Sequence, residues 1–550
     1  MKRVITILMS LFVAFSVNAQ IKDFVILGGE LSNSAATSVE DIDEVLPRMK
    51  ALGLNTVLVP VYWELIEPTE GRMDFTLVDC TIDVARQQGL KIVPLWFGAW
   101  KNSMSCYAPA WFKRDVKRFP RAMTAEGKPL EIASCFSYNV LQADLKAFSA
   151  LMQHIAEKDP QREVVIMMQI ENEIGMLESA RDHSPLAEKA YKEERWAERY
   201  GTDDYADEKF MALHYARYVE HLAKAARKIH DMPLYVNAAM NSRGRKPGEY
   251  PSAGPLAHLA DIWKSGAPSI DILAPDIYDT GFKSWASQYA MPLRPQDGGK
   301  VKNRLFIPES RCCENSGVRA LYAFGEHQAL GFSPFAIDQA SPKETESVMQ
   351  AYDLLNQIFR LKSDAAANSS LFIFHSSLKT WGLLFDQDDK ERVIDDEGVV
   401  LTCRHYFTLP WDPRATDGSI WPEGGAMLIR LSKYDYLLAG SGVVVDFKTR
   451  TEKQQEQQKQ LGEDGFAEAG TPLGSAALQS KELSTFNSQL STQFTGSRLG
   501  LLSVDEVTID HQGQMQYLRR HNGDQSHQGR HARISVGDWK ILHIQLYEYK

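Results

Sequence analysis

Between residue 24 and about residue 340 the chain repeats one unit, a short run of consecutive apolar residues followed by a longer amphipathic stretch. The runs fall at 24–27, 56–62, 91–97, 164–170, 234–238, 272–277, 305–308 and 335–337, and helical patterns occupy 39–52, 78–88, 141–157, 208–229 and 344–361. Residues that are apolar on consecutive positions, rather than alternating ones, fit parallel strands covered on both faces. Eight such strands separated by helices over roughly 330 residues predict a (β/α)₈ barrel with elaborated loops. An open doubly wound sheet would normally carry a glycine-rich phosphate turn after its first strand, and Gly28-Gly29-Glu30-Leu31 lacks the GxGxxG spacing.

Beyond residue 365 the texture changes to short apolar runs at 371–374, 382–385, 426–431, 436–439, 443–446, 501–507 and 541–546, separated by turn-rich segments. This predicts an all-β, sandwich-like second domain. The Lys/Gln/Glu-rich tract 452–460 reads as a solvated loop. Trp381, Trp411, Trp421 and Trp539 show no platform spacing, so this domain is read as a brace rather than a sugar-binding module. At the other end, Lys2 and Arg3 precede an apolar run at 4–17 and the small-residue triplet Val17-Asn18-Ala19, the pattern of a secretory signal peptide. The expected organisation is therefore a signal peptide at 1–19, a catalytic barrel at 20–365 and a β-sandwich at 366–550, in a protein exported to the periplasm or the cell exterior.

Removing residues 1–19 deletes Lys2 and Arg3 and no acid, which moves the net charge from −10 to −12. A clearly acidic chain without a basic cluster argues against nucleic-acid or anionic-membrane partners. It suits a neutral ligand, and no span for the mature chain is expected. The six cysteines, Cys80, Cys106, Cys135, Cys312, Cys313 and Cys403, have no CxxC spacing, so no zinc site is expected. Most are expected as free buried thiols, with Cys106 and Cys135 the pair to test for a bridge.

In such a barrel the chemistry sits at the C-terminal ends of the strands. Those ends deliver Gly29-Glu30, Trp63-Glu64, residues 96–100, Glu171-Asn172-Glu173, Asn237 and Asn241, Asp276-Ile277-Tyr278, Glu309-Ser310 and Asp338-Gln339. One rim thus gathers carboxylates, indoles and amides, with no histidine cluster and no Ser/His pair. Cleavage of a glycosidic bond needs that combination: one carboxyl held protonated for the leaving oxygen, one ionised at the anomeric carbon, and aromatic faces for the sugar ring.

The run Gln169-Ile170-Glu171-Asn172-Glu173-Ile174-Gly175, the segment Val61-Tyr62-Trp63-Glu64-Leu65-Ile66-Glu67-Pro68 and the strand end Phe306-Ile307-Pro308-Glu309 resemble the retaining glycoside hydrolases that carry Asn-Glu after strand 4 and a lone Glu after strand 7. The likeness is nearest to the β-galactosidases of glycoside hydrolase families 35 and 42, and it covers residues 24–340. Where family 35 has Asn and His, this chain has Glu64 and Ile66, and residues 96–102 look more like family 42. The resemblance implies Glu173 as acid/base, Glu309 as nucleophile, Asn172 on the sugar 2-hydroxyl and Tyr278 orienting the nucleophile. Trp63, Glu67, Trp100 and Glu30 are the further expected substrate contacts, with Lys101 and Asn102 as plausible subsite residues. By spacing alone Glu171 rivals Glu173, and Glu314 rivals Glu309. The implied activity is an exo-acting retaining β-galactosidase on oligo- or polysaccharides, without metal or organic cofactor. Another β-glycosidase specificity, an endo-acting enzyme and a non-catalytic carbohydrate-binding protein are the alternatives.

Overall fold

The computed structural model describes residues 24–290, 303–361, 378–456 and 496–550. The segment 1–19, the apolar run 371–374, the end of the tract 452–460 and the expected domain boundary at 365 lie outside the described residues.

The first of two compact units runs to Leu355. Its strands are β1 (Ile26–Glu30), β2 (Thr56–Tyr62), β3 (Lys91–Phe97), β4 (Met168–Gln169), β5 (Leu234–Ala239), β6 (Ile272–Ile277), β7 (Phe306–Ser310) and β8 (Gly331–Pro334). They close in the order β1-β8-β7-β6-β5-β4-β3-β2, with every neighbouring pair parallel. A principal helix follows each strand: α1 (Val39–Ala51), α2 (Thr76–Gln88), α3 (Tyr138–Lys158), α4 (Asp204–Ile229), α5 (Ala260–Gly266), α6 (Phe282–Tyr289), α7 (Ser316–His327) and α8 (Pro342–Ile358), with short extra helices at Trp63–Ile66 after β2 and Ala110–Arg114 after β3. The helix starts follow local chemistry. Ser38, Ser137 and Asp203 each accept the backbone N–H three residues on, satisfying a donor that has no partner inside α1, α3 or α4. The connections after β3 and β4 are the long ones. They carry an antiparallel hairpin (Arg121–Met123 with Pro129–Ala133) and two short helices (Pro185–Glu193 and Trp196–Tyr200).

Two strands depart from the sequence expectation. Only Met168 and Gln169 of the run 164–170 join the ladder as strand. The eighth strand is Gly331–Pro334, not 335–337, where Ala336 takes a left-handed φ of 52°. The cause is close packing. A Cβ built on Gly331 would lie 2.5 Å from the Ile26 Cβ and 3.0 Å from the Ile26 carbonyl oxygen, and one on Gly28 would lie 2.2 Å from the Ser333 Oγ. The strands β1 and β8 meet through small residues, so β8 carries no apolar run to betray it.

The second unit, described from Asn356, is all-β. Strands β9 (Thr380–Phe385), β12 (Gly424–Ser432), β13 (Asp435–Ser441), β15 (Arg498–Ile509), β16 (Met515–Arg520) and β18 (Lys540–Tyr549) form a sheet in the order β9-β12-β13-β18-β15-β16. Strands β10 (Glu391–Asp396), β11 (Val399–His405), β14 (Val443–Thr449) and β17 (His531–Ile534) form the other, in the order β10-β11-β14-β17. Leu383, Leu428, Leu438 and Leu542 of the first sheet share one buried core with Leu401, Val443, Val445 and Ile534 of the second. That is the packing of a sandwich. Residues 452–456, the described part of the tract expected as a loop, are helical.

All six cysteines are free, so Cys106 and Cys135 are not bridged. Only Cys403 is buried, which corrects the expectation of buried thiols for most of them. Among the described residues no helix is long and apolar enough to cross a membrane.

Gly331→Ala is expected to cost about 1–3 kcal/mol by overpacking the β1–β8 contact. Its denaturation midpoint should fall measurably below that of the parent chain, and an unchanged midpoint would contradict the close approach.

Candidate active site

The site begins where β4 leaves the ladder. Glu171 has φ 58° and Glu173 has φ 45°, both left-handed. Such a backbone costs a non-glycine residue on the order of 1–3 kcal/mol and persists only where its surroundings enforce it. Here they do. The Glu173 N–H donates to the Asn237 Oδ1 at 2.9 Å. The Glu173 carbonyl accepts from the Ser103 N–H at 3.1 Å, and its carboxylate accepts from the Asn102 amide. Two left-handed residues break the strand alternation, and the two glutamates part. Glu171 accepts the Trp100 N–H at 2.8 Å and faces Asp144, which is itself held by the Trp96 indole and the Tyr218 hydroxyl at 2.9 and 2.8 Å. Glu173 turns to Glu309.

Glu309, near the end of β7, is 2% exposed and is addressed by three donors. The Tyr278 hydroxyl donates to Oε2 at 2.6 Å, and the Asn237 and Asn172 amides donate to Oε1 at 3.1 and 3.3 Å. Asn237 also donates to the Asp276 Oδ2 at 2.8 Å. One oxygen each of Glu173, Asp276 and Glu309 lies within 4.8 Å of the other two. All three are buried.

Burial sets the electrostatics. It pushes the Glu173 carboxyl up to about 7, with the neighbouring Glu309 charge adding to the rise. Burial raises Glu30 and Asp276 well above the ordinary carboxyl range, and Glu309 raises both further. Both Glu30 carboxyl oxygens are buried and neither has a hydrogen-bond partner, so the Glu309 charge acts on this group through space. Lys101, 3% exposed, is the cation that works against these rises in Glu30, Glu173 and Asp276. Burial lowers the Lys101 ammonium, but Glu309, Glu173, Glu30 and Asp276 outweigh it and hold the group above its usual range.

The structure thus brings together Glu173, Glu309, Asn172, Tyr278 and Glu30 from the expected set. Three others are placed in packing instead. Trp63 is fully buried among Trp96, Trp111 and Phe112. Its indole N–H donates to Glu67 at 3.0 Å, and Glu67 takes the Gly71 N–H at 2.7 Å. Trp100 is fully buried with its ring edge-on to Tyr215 and Tyr218. These rings face protein, which corrects their expected role as sugar contacts. Glu314, the rival to Glu309, sits exposed in an ion pair with Lys343 at 2.7 Å. Sequence reasoning saw Asn237 and Asp276 only as strand-end residues. Their tie to Glu309 crosses between strands, and only their place at the ends of β5 and β6 hinted at it.

Three clustered carboxylates could also receive a hard cation through oxygen ligands. In this group, however, the Asn237 and Tyr278 donors already address oxygens of Asp276 and Glu309, and an ammonium lies beside them. The donor set fits a proton-handling carboxyl pair better than a metal cage.

Residues 34–220 match the family model Glyco_hydro_42, described as Beta-galactosidase. Residues 348–533 match a domain of unknown function, DUF5597. A beta-galactosidase of Thermus thermophilus is 25% identical over 279 residues, which is 46% of this chain and 40% of that protein. Beta-galactosidase BgaA of Thermus sp is 24% identical over 279 residues, with the same shares of 46% and 40%. A beta-galactosidase of Xanthomonas manihotis is 30% identical over 155 residues, 26% of this chain and 22% of that one. The match therefore spans about two-fifths of the length of the two Thermus relatives. Among solved structures, a beta-galactosidase from Rahnella sp. R3 superposes with a TM-score of 0.44 at 14% identity, covering 60% of this chain and 56% of that chain. One from Bacillus circulans gives 0.45 at 15% identity, covering 61% and 56%. Of the two families that the sequence resembles, the match falls on family 42, and family 35 finds no support in it.

A carboxyl raised by folding contributes stability that is present at low pH and lost as pH climbs through its folded pKa. For Glu173 that loss sets in above the ordinary carboxyl value of 4.5 and is complete once pH has passed about 7. Glu173→Gln removes the ionisable group, so its melting temperature should gain on the parent chain between pH 5 and pH 8. A constant difference over that range would contradict the raised value.

Proposed function

We propose that the chain is a retaining glycoside hydrolase, an exo-acting β-galactosidase on oligo- or polysaccharides. The observation that carries this reading is the placement of Glu173 and Glu309. Their nearest oxygens lie within 4.8 Å, on the side of the ~5–5.5 Å carboxyl separation of retaining enzymes rather than the ~6.5–9.5 Å of inverting ones. The family 42 match over 34–220 supports the reaction class and the sugar, as do the names of the relatives.

In this reading the Glu309 carboxylate attacks the anomeric carbon while Glu173, protonated near neutral pH, gives its proton to the leaving oxygen. The glycosyl–Glu309 ester is neutral. The charge that helps raise Glu173 is then gone, its proton affinity falls, and it takes a proton from the incoming water. The water oxygen bonds to the anomeric carbon as the ester C–O bond breaks, and both carboxyls return to their starting states. Tyr278 and Asn237 hold Glu309 in line for attack. The segment 1–19 makes export part of the proposal, and N-terminal sequencing of the secreted protein tests it.

Turnover of nitrophenyl β-galactoside is expected to exceed that of the β-glucoside and β-mannoside and to fall to background in Glu309→Gln. Glu173→Gln should lose on the order of 10²–10⁴ on a natural galactoside. With the activated nitrophenyl substrate its first step should be spared, and azide should restore part of the second. Equal loss on natural and activated substrates would remove Glu173 from the acid role. Preference for another sugar would move the specificity and keep the two glutamates.

A further inference from the structure

Lys101 stands out among the buried ionisable groups because nothing in the proposed reaction uses it. It follows Trp100 in the loop beyond β3, and backbone hydrogen bonds of 2.8 and 2.9 Å exchanged with Met104 fix the turn. Its ammonium lies 5.0 Å from the centre of the Phe97 ring and donates to the Asn172 Oδ1 at 2.8 Å. An ammonium only donates, so the Asn172 oxygen must face Lys101 and its NH₂ must face Glu309. The chain Lys101 to Asn172 to Glu309 therefore has one direction.

Charge makes the second half of the argument. Glu30 on β1, Glu173 after β4, Asp276 on β6 and Glu309 on β7 surround the ammonium, with Cys106 and Tyr107 on its own loop and Tyr278 behind Glu309. Four buried carboxyls fully ionised with one ammonium would leave three uncompensated negative charges, which a buried site does not sustain. Protons must neutralise part of the group. The cation decides how many are needed and helps decide where they sit.

We propose that Lys101 is a positioning residue of this site: its ammonium is the internal counter-charge of the four-carboxyl group and, through Asn172, fixes the amide that addresses Glu309. This goes beyond the proposed function, which names the reacting pair, and rests on it only for the kinetic readout below. It also differs from a sugar-contacting role, which would need an ammonium open to the pocket rather than one sealed and already hydrogen-bonded.

Two variants separate charge from hydrogen bonding. Lys101→Gln keeps a donor for Asn172 without the charge, and Lys101→Arg keeps the charge. Melting temperatures of the two are compared at pH 5 and pH 8. At pH 5 the raised carboxyls hold their protons and the two variants should melt within a few degrees of each other. At pH 8 Lys101→Gln should fall well below Lys101→Arg, because Glu30, Glu173 and Asp276 lose the cation that eases their ionisation. The same gap at both pH values would overturn the proposal. So would failure of Lys101→Gln to fold even at pH 5, where there is little charge to balance. These readouts require no substrate and stand apart from the sugar assignment. On whichever nitrophenyl glycoside the parent chain turns over, Lys101→Gln should move the basic limb of kcat/KM upward by about one unit and lower kcat by at least tenfold. A raised KM with an unmoved limb would make Lys101 a substrate contact instead and would also overturn it.

Discussion

A carboxylate buried among other carboxyls keeps its charge only where donors and a counter-charge hold it, and in this barrel they converge on Glu309. Tyr278, Asn237 and Asn172 reach it from the ends of three different strands. Each donor is itself oriented by another group or by its own strand. Asn237 is fixed by the Glu173 N–H and Asp276, and Asn172 by Lys101. The closed barrel makes this possible, because adjacent parallel strands deliver their last residues to one ring. The negative charge held there is part of what keeps a proton on Glu173 near neutral pH.

Strain at the end of β4 belongs to the same design. Placing Glu173 beside Glu309 and Glu171 beside Asp144 requires two left-handed residues within three positions. The hydrogen bonds to Asn237, Ser103 and Asn102 hold Glu173 in that form. Relaxing the backbone would break these bonds and uncouple the carboxyl pair. A strained conformation at a site of chemistry is therefore paired here with the contacts that maintain it.

Much of this was legible in the sequence, and the exceptions have physical causes. Strands β2, β3 and β6 are apolar on both faces and appear at the expected residues. Strand β8 was not legible because close packing against β1 demands small residues there, leaving Phe332 alone as a large apolar one. Strand β16 is exposed along its whole length and so shows no burial pattern to read. At the site, strand-end positions and family likeness pointed to Glu173 and Glu309, which the fold brings into one buried group. The parting of Glu171 from Glu173 was not, since it depends on backbone dihedrals and on Asp144 in a distant helix. Trp63 and Trp100 look like sugar platforms in sequence. Whether an indole faces a pocket or a neighbouring ring is decided by residues such as Phe112, Tyr215 and Tyr218, far along the chain.

The central claim, that Glu309 bonds covalently to the sugar and is the one carboxyl of the group that does so, is open to direct test. The protein is incubated with an activated 2-deoxy-2-fluoro-β-galactoside, which slows the second step, and analysed by intact mass and peptide mapping. The account predicts a gain of one fluorogalactosyl unit, mapped to Glu309 and absent from Glu309→Gln. A label on Glu30, Glu171, Glu173 or Asp276 would contradict it, as would turnover of the parent glycoside without any trapped adduct.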